Sequence, residues 1–431
     1  MPRTFIVTDL LFGDSGKGTV VDALVRKYGA ELVVRYNGGA QAAHNVVTPD
    51  GRHHTFRQFG SGTFVPGVAT LLSKHMLVDP LAAVVEASLL RDVGVTDALE
   101  RLYVDEQAFV VTPYHKAMNR LRECSRGDKP HGTCGMGIGE TANDILLRPD
   151  RALRVKDLLA NDLEERLVET RKALWVRTKS FTWPNNPLTA EAVSLFNTSE
   201  KVIAEHYRRF CGSAVVASAM RVQALLNSLT SVFEGAQGVL LDQDCGFHPY
   251  TTWSKTTSVN ARAILKEAAI AHPITEIGVL RTFATRHGPG PLVTEDAALD
   301  KLLKNEHNTT NEWQRDFRVG WLDLALLKYA LMVNGPVNML AVTHVDCLAA
   351  IPRWLICQAY TRNILRKPGT LKVQAQMTKA LFKARYSPVL ISKDHVLDTI
   401  QAQLQTPIGI LSQGPTYLEK RFATEPEPVP A

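Results

Sequence analysis

The stretch FGDSGKG, Phe12 to Gly18, sets one carboxylate and one ammonium among glycines. An apolar run precedes it and a helix-like run follows it. In that context backbone N–H groups and a helix N-terminus face an anion. Lys17 adds a point charge for a phosphate. The common phosphate loop reads G-x-x-x-x-G-K-[ST]. Here Leu11 stands where that pattern opens with glycine, and Gly18 stands where it places a hydroxyl. The usual hydroxyl ligand for Mg²⁺ is therefore missing, and Asp14 sits inside the loop instead. A carboxylate beside phosphates is repulsive unless it binds the metal or handles a proton. A plain glycine-rich turn between strand and helix is the alternative.

Three later stretches carry chemistry of the same kind. RYNGGAQAAHNVV, Arg35 to Val47, pairs two glycines with His44. The glycines permit close backbone approach to a ligand. His44 can donate to a leaving or bridging oxygen, although a lone loop histidine is also a common structural feature. VFEGAQGVLLDQDCGFHPYTT, Val232 to Thr252, offers Gln237 in a glycine-flanked turn. Its amide pairs a donor with an acceptor and can read a base or a ribose. LAVTHVDC places Thr343-His-Val-Asp346 at a strand end. The pattern [NT]-K-x-D recognises guanine through two N–H groups held by the carboxylate. Asp346 fits that role, and His344 stands in place of the lysine. ILSQGPT adds a backbone turn from Ser412 to Gly414.

These residues need a frame that gathers them. TFIVTDLL reads as a short buried strand bounded by Gly13, and GTVVDALVRKYG as a helix that stops at Gly29. ELVVRY and VNMLAVTHVD read as further strands, and PLAAVVEASLLRDVG and LALLKYALMVNG as helices. The alternation predicts an α/β fold with a large, mostly parallel central sheet and crossover helices. Ligands in such sheets bind beyond the carboxyl ends of the strands. The middle, about 155–230, reads as a helical insertion or cap broken by Pro184 and Pro187. Residues 1–421 read as one domain, and 422–431, rich in Pro, Glu and Ala, as a disordered tail.

The chain has 431 residues, 45% of them hydrophobic, enough for one large core or two. No apolar stretch approaches the roughly 18 residues a membrane helix needs. Asp9 interrupts the N-terminus before any signal-like apolar region develops. Six cysteines without a CxxC pair argue against a disulfide framework and a zinc knuckle. The expectation is a cytoplasmic protein with reduced thiols and no membrane contact. The net charge of +6 is spread through mixed segments, which favours anionic small molecules over nucleic acid.

Taken in order, these stretches resemble the adenylosuccinate synthetase family from about Phe5 to Thr416. Gly13 to Gly18 is similar to the family's G-D-E-G-K-G, and RYNGGAQAAH to its R-Y-x-G-G-x-N-A-G-H. Glu234 to Gly238 matches E-G-A-Q-G, and Pro249 to Thr252 matches P-Y-x-T. GTCGMGIG, TRHGPGP, Gly320 to Asp323, THVD and SQGP are similar to five more family motifs. The resemblance implies GTP-dependent ligation of a 6-oxopurine nucleotide, IMP or dIMP, to aspartate with Mg²⁺. It implies Asp14 as the base, His44 as the group at the bridging oxygen and Lys17 on the phosphates. It implies Mg²⁺ on Asp14 and the carbonyl of Ala43. For the substrate nucleotide it implies Gln41, Thr133 or Cys134, Arg148, Gln237 and Thr252. For aspartate it implies Thr309, Thr310 and Arg315. For GTP it implies Gly13, Ser15, Gly16, Lys17, Gly18, Arg318, His344, Asp346, Ser412 and Gly414. Arg148 matches an arginine sent into the partner subunit, so a homodimer is implied.

The departures matter. Ser15 replaces Glu, Gln41 replaces Asn, and Ala43 replaces Gly. His344 for Lys leaves ATP open as the phosphate donor. In TTNEWQRDFRVGWLD, Asp316 and Phe317 break the family's arginine run, although Arg315 and Arg318 remain and two arginines can still clamp a dicarboxylate. Phage relatives that make 2-aminoadenylosuccinate from dGMP carry Ser where this chain keeps Asp14. Three readings follow: the ligase, a divergent paralogue acting on (d)GMP or with another amine donor, and a nucleotide sensor without ligase chemistry.

Overall fold

The computed structural model describes residues 1–127, 133–303, 317–351 and 353–423. Its centre is a ten-stranded sheet. In chain order the strands are β1 (Thr4–Asp9), β2 (Leu32–Arg35), β3 (Ala69–Leu72), β4 (Leu102–Asp105), β5 (Val215–Ala217), β6 (Ser231–Gly238), β7 (Ile274–Arg281), β8 (Met339–Thr343), β9 (Ile408–Ser412) and β10 (Lys420–Phe422). They lie in the order β10-β9-β8-β7-β1-β6-β2-β3-β4-β5. Every pairing is parallel except β9 with β10. The strand order changes direction around β1, and in open parallel sheets such a switch point opens a crevice at the carboxyl edge.

β1 is buried at every position, as a strand covered on both faces must be. The helix α1 (Lys17–Tyr28) follows it and buries Val20, Val21, Leu24 and Val25 against β1, β6, β7 and β8. Burying side chains of this size stabilises by about 2 kcal/mol each. α1 ends where Gly29 takes φ 60° and donates its N–H to Val25.

On the β3–β4 side lie α2 (Pro80–Asp92), α3 (Pro113–Cys124), α4 (Ile138–Leu147), α5 (Leu163–Thr178), α6 (Pro187–Phe196) and α7 (Glu200–Ser213). The helices α5 to α7 share one apolar core with α3 and β4. Tyr114 stacks on Phe196 at 6.3 Å, and Trp175 meets the same ring edge-on at 5.2 Å. The segment 155–230 is not wholly helical, because it also supplies the edge strand β5. Phe422 closes β10, edge-on to Tyr28 at 6.2 Å and under Lys27 at 4.0 Å, and the Ala423 N–H donates to the Gly409 carbonyl at 2.9 Å. No helix among the described residues is long and apolar enough to cross a membrane.

Candidate active site

β1 ends on Asp9, 1% exposed. A buried carboxylate is costly unless donors surround it. Asp9 accepts from the N–H groups of Leu11 (2.9 Å), Gly13 (3.2 Å) and Ser15 (2.9 Å), and from Lys17 Nζ (3.1 Å). Lys17 Nζ also donates to the Gly13 carbonyl at 2.7 Å. The loop is thus folded back onto its own strand. Gly13 has φ 110°, and a Cβ there would lie 2.9 Å from the Gln237 Cα, so only glycine fits. Two further bonds tie the loop to its neighbours. Thr343 Oγ1 donates to the Ser15 carbonyl at 2.8 Å, and buried Arg281 donates through Nε to the Asp14 carbonyl. Ser15 works through its backbone; its buried side chain lines neither cavity described below.

His44 opens a short strand, His44–Val47, paired antiparallel with His53–Phe56. A Cβ on Gly18 would lie 3.0 Å from the His44 Cβ, so the glycine lets this hairpin close on α1. His44 Nδ1 lies 2.5 Å from Glu234 Oε1. The same carboxylate accepts the Ser61 N–H at 2.9 Å and the Ser61 hydroxyl, and Arg35 stands 3.8 Å away. Burial alone would raise the Glu234 carboxyl, but Arg35, His44 and Ser61 outweigh it and hold the group at about 2. Burial, reinforced by Arg35, pushes His44 down to about 4 against the pull of Glu234. In the free protein His44 is therefore neutral near pH 7, with its proton on Nδ1 facing the carboxylate.

Two cavities meet here. One, of about 460 Å³, is lined by Gln41, Thr133, Cys134, Gln237, Thr252 and His287, among others. The other, of about 390 Å³, is lined by Gly16, Lys17, Gly18, His344, Asp346, Ser412 and Gly414, among others. Both are walled by Gly13, Asp14, Ala43 and His44. The first lining contains the expected Gln41, Thr133, Gln237 and Thr252, and the second the expected Gly16, Lys17, Gly18, His344, Asp346, Ser412 and Gly414. On the first wall Gln41 has both amide atoms buried without partners, and Gln237 has its Oε1 in the same state. Buried polar atoms without partners call for a ligand, water or ion. Gln237 (φ 62°) and His344 (φ 56°) are two of four described non-glycine residues with positive φ. Strain of this kind collects at functional sites.

Other expected residues lie elsewhere. Arg148 caps α4, its guanidinium on Asp144 at 2.9 and 2.7 Å, and lines neither cavity. Arg318 donates to the carbonyls of Gly288 and Gly290, both at 2.8 Å, and to Glu295, so its guanidinium braces a loop outside the donor cavity. Thr309, Thr310 and Arg315 lie outside the described residues. His344 bonds Thr343 Oγ1 at 2.9 Å and meets Phe283 edge-on at 5.6 Å. Burial, then Arg281, drives its imidazole well below 6.5.

Sequence reasoning assigned no role to Asp9, Glu234, Arg281, Arg286 or His287. Arg286 is 1% exposed, donates to the carbonyls of Pro289, Pro291 and Tyr250 and stacks on Phe12 at 4.3 Å. Burial, with Arg318 nearby, lowers it to about 9. Glu234, Arg286 and His287 do sit inside quoted motifs, and Asp9 ends an otherwise apolar strand.

Among the described residues no group of three or more His, Cys, Asp or Glu side chains could cage a metal. Mg²⁺ needs no such cage: it takes one or two carboxylates with phosphate oxygens and water. Asp14 and Ala43, on the wall shared by both cavities, fit that requirement. Ala43 is absent from the described positive-φ residues, so alanine replaces glycine there without backbone strain.

Comparison with known proteins agrees with this arrangement. A family model described as adenylosuccinate synthetase matches residues 6–417. The adenylosuccinate synthetase of Chlorobium chlorochromatii is 30% identical, over 98% of each chain. That of Halothermothrix orenii is 33% identical, over 85% of this chain and 84% of its own. In fold, the chain is similar to the fully ligated adenylosuccinate synthetase of Plasmodium falciparum, with a TM-score of 0.78 at 20% identity, covering 97% of this chain and 99% of that one. It is also similar in fold to the cyanophage S-2L succinoaminodeoxyadenylate synthetase bound to dGMP and dATP, with a TM-score of 0.62 at 16% identity, covering 99% and 96%. The chain belongs to the adenylosuccinate synthetase family, whose members are ligases that form a C–N bond.

Proposed function

We propose that this ligase joins IMP or dIMP to L-aspartate at the expense of GTP, giving adenylosuccinate, GDP and phosphate. The observation that carries the reading is the meeting of two cavities on Asp14 and His44. A purine monophosphate in the larger cavity and a nucleoside triphosphate in the other bring a carbonyl oxygen and a γ-phosphate to one wall.

Asp14 removes the N1 proton of the purine, and the 6-oxygen attacks the γ-phosphorus as the bond to GDP breaks. His44 then serves the bridging oxygen of GDP. Its Nε2 carries no proton in the free protein. Incoming phosphate charge and the ionised Glu234 both favour protonation there, which makes Nε2 a donor. Lys17 shares its ammonium between Asp9 and the phosphates. Asp14 and the Ala43 carbonyl would hold Mg²⁺, which supplies neutralisation of the phosphate charge. The amine of aspartate displaces the 6-phosphoryl group at C6, and phosphate leaves. Carbonyl oxygen is a poor leaving group and phosphate a good one, so positioning and charge neutralisation do most of the work. Thr309, Thr310 and Arg315 are the proposed aspartate contacts.

We read the chain through β10 as one domain and the enzyme as a cytoplasmic homodimer. Six free thiols support a reducing compartment. Arg148, outside both cavities of its own chain, supports a role toward a partner.

His344 favours a second reading. Its ring is held by Thr343 and Phe283 where a lysine would pack on guanine. That supports ATP as donor and, with Gln41, a (d)GMP substrate. Product formation from IMP, dIMP, GMP or dGMP, with GTP or ATP, with and without aspartate, separates the readings. A requirement for IMP, GTP and aspartate supports the first. A dGMP requirement sinks it, and turnover with none of these purines leaves a sensor.

A further inference from the structure

We propose that His287, paired with Phe317 across two antiparallel strands, is the positioning residue that aims the Asp14 carboxylate into the purine cavity. The inference rests on the reading of Asp14 as the base. The backbone at Asp14 is fixed, with its carbonyl held by Arg281 and its neighbours Gly13 and Ser15 bonded to Asp9. The side chain is not fixed in that way. It is 25% exposed and stands on a wall shared by two cavities, so rotation about its own bonds would point it at either. Among the described residues, the one basic group in ion-pair range is His287, with Nε2 3.7 Å from Asp14 Oδ1.

That distance is a short closure away from a hydrogen bond. The imidazole is in turn held by its surroundings. Residues Ala284–His287 pair antiparallel with Phe317–Gly320, and the register sets His287 opposite Phe317. Directly opposed side chains in such a pair stabilise one another. The two rings lie 4.8 Å apart at 58°. Arg286, the preceding residue, is locked onto three carbonyls, so the strand end has little freedom. His287 Nδ1 is buried without a partner. The proton is therefore best used on Nε2, toward the carboxylate.

Phe317, which interrupts the family's arginine run, gives His287 an apolar ring to rest against.

The test is steady-state kinetics of the full chain with the active purine monophosphate, its phosphate donor and aspartate, on wild type, His287→Ala and His287→Gln. Thermal unfolding of each is measured alongside. A small misplacement of a catalytic group costs rate steeply. The expected result is a kcat about tenfold lower or worse for His287→Ala. Its KM values and melting temperature stay near wild type, and His287→Gln, which returns a donor at similar reach, recovers most of the rate. An unchanged kcat for His287→Ala in an active enzyme overturns this inference alone. So does a loss confined to KM, or a glutamine variant as slow as alanine. A wild type that turns over none of the purines overturns the role of Asp14 and this inference with it.

Discussion

On the phosphate side of the site, Asp9 accepts four hydrogen bonds and Lys17 is already shared between a carboxylate and a carbonyl. On the purine side, Gln41, Gln237 and His287 keep buried polar atoms without partners. The first region is completed by the protein itself; the second is completed by what binds. A buried polar atom left without a partner costs on the order of 1–3 kcal/mol. The purine wall carries that cost until a nucleotide supplies the missing groups. Substitutions in the loop should therefore register in folding stability, and substitutions of Gln41 or Gln237 in substrate affinity.

The largest effect is expected at Asp9. Asp9→Asn removes the charge partner of buried Lys17, which costs about 3 kcal/mol in a buried pair. Denaturant unfolding should show that loss, with weakened donor-nucleotide binding. Unchanged stability would break the comparison, because the loop would then not be held by Asp9.

Glu234→Gln comes next and has a pH signature. The carboxyl lies at about 2 in the folded protein against 4.5 for an ordinary one. As acid is added, the unfolded chain takes up this proton first. The stabilisation is therefore full above 4.5 and is lost as pH falls toward 2. The variant should be less stable near neutrality by about 2 kcal/mol, the value of a hydrogen bond to a charged group, because the His44 and Ser61 bonds then meet a neutral amide. Its stability should also fall less steeply across that acid window. Parallel acid-unfolding curves for the two proteins would refute the assignment.

The smallest effect belongs to the wall. Gln237→Ala should leave the melting temperature in place and raise KM for the purine monophosphate about tenfold, the value of one well-placed hydrogen bond to a ligand. A change in stability without a change in KM would mean that Gln237 belongs with the loop.

Much of this was legible in the sequence. β1, β2 and β8 announce themselves as short apolar runs, and α1 is bracketed by Gly16 and Gly29. Asp14, Lys17, His44, Gln237 and Asp346 stood out because their motifs follow strands, where a parallel sheet places ligands, whereas Gln41, Thr133 and Thr252 came from the family resemblance. What escaped was the support behind them. Glu234 is 190 residues from His44, and Arg281 is 267 residues from Asp14. No local pattern shows which buried carboxylate will meet which donor at that separation. β5 and β10 escaped because strands of three residues carry too little periodicity to read. Arg318 was drawn toward the phosphate donor by its place in an arginine run, whereas its guanidinium is used on the carbonyls of Gly288 and Gly290.

The central claim is that both nucleotides react across the shared wall at Asp14 and His44. Exchange of an isotopically labelled oxygen bridging the β- and γ-phosphates of the donor tests it directly. Reversible transfer of the γ-phosphoryl group to the purine 6-oxygen frees that bridge and lets it scramble into non-bridging positions. The account predicts scrambling that requires the purine monophosphate, proceeds without aspartate and disappears in Asp14→Asn while donor binding persists. Scrambling without any purine, or none with the active purine bound, would contradict it.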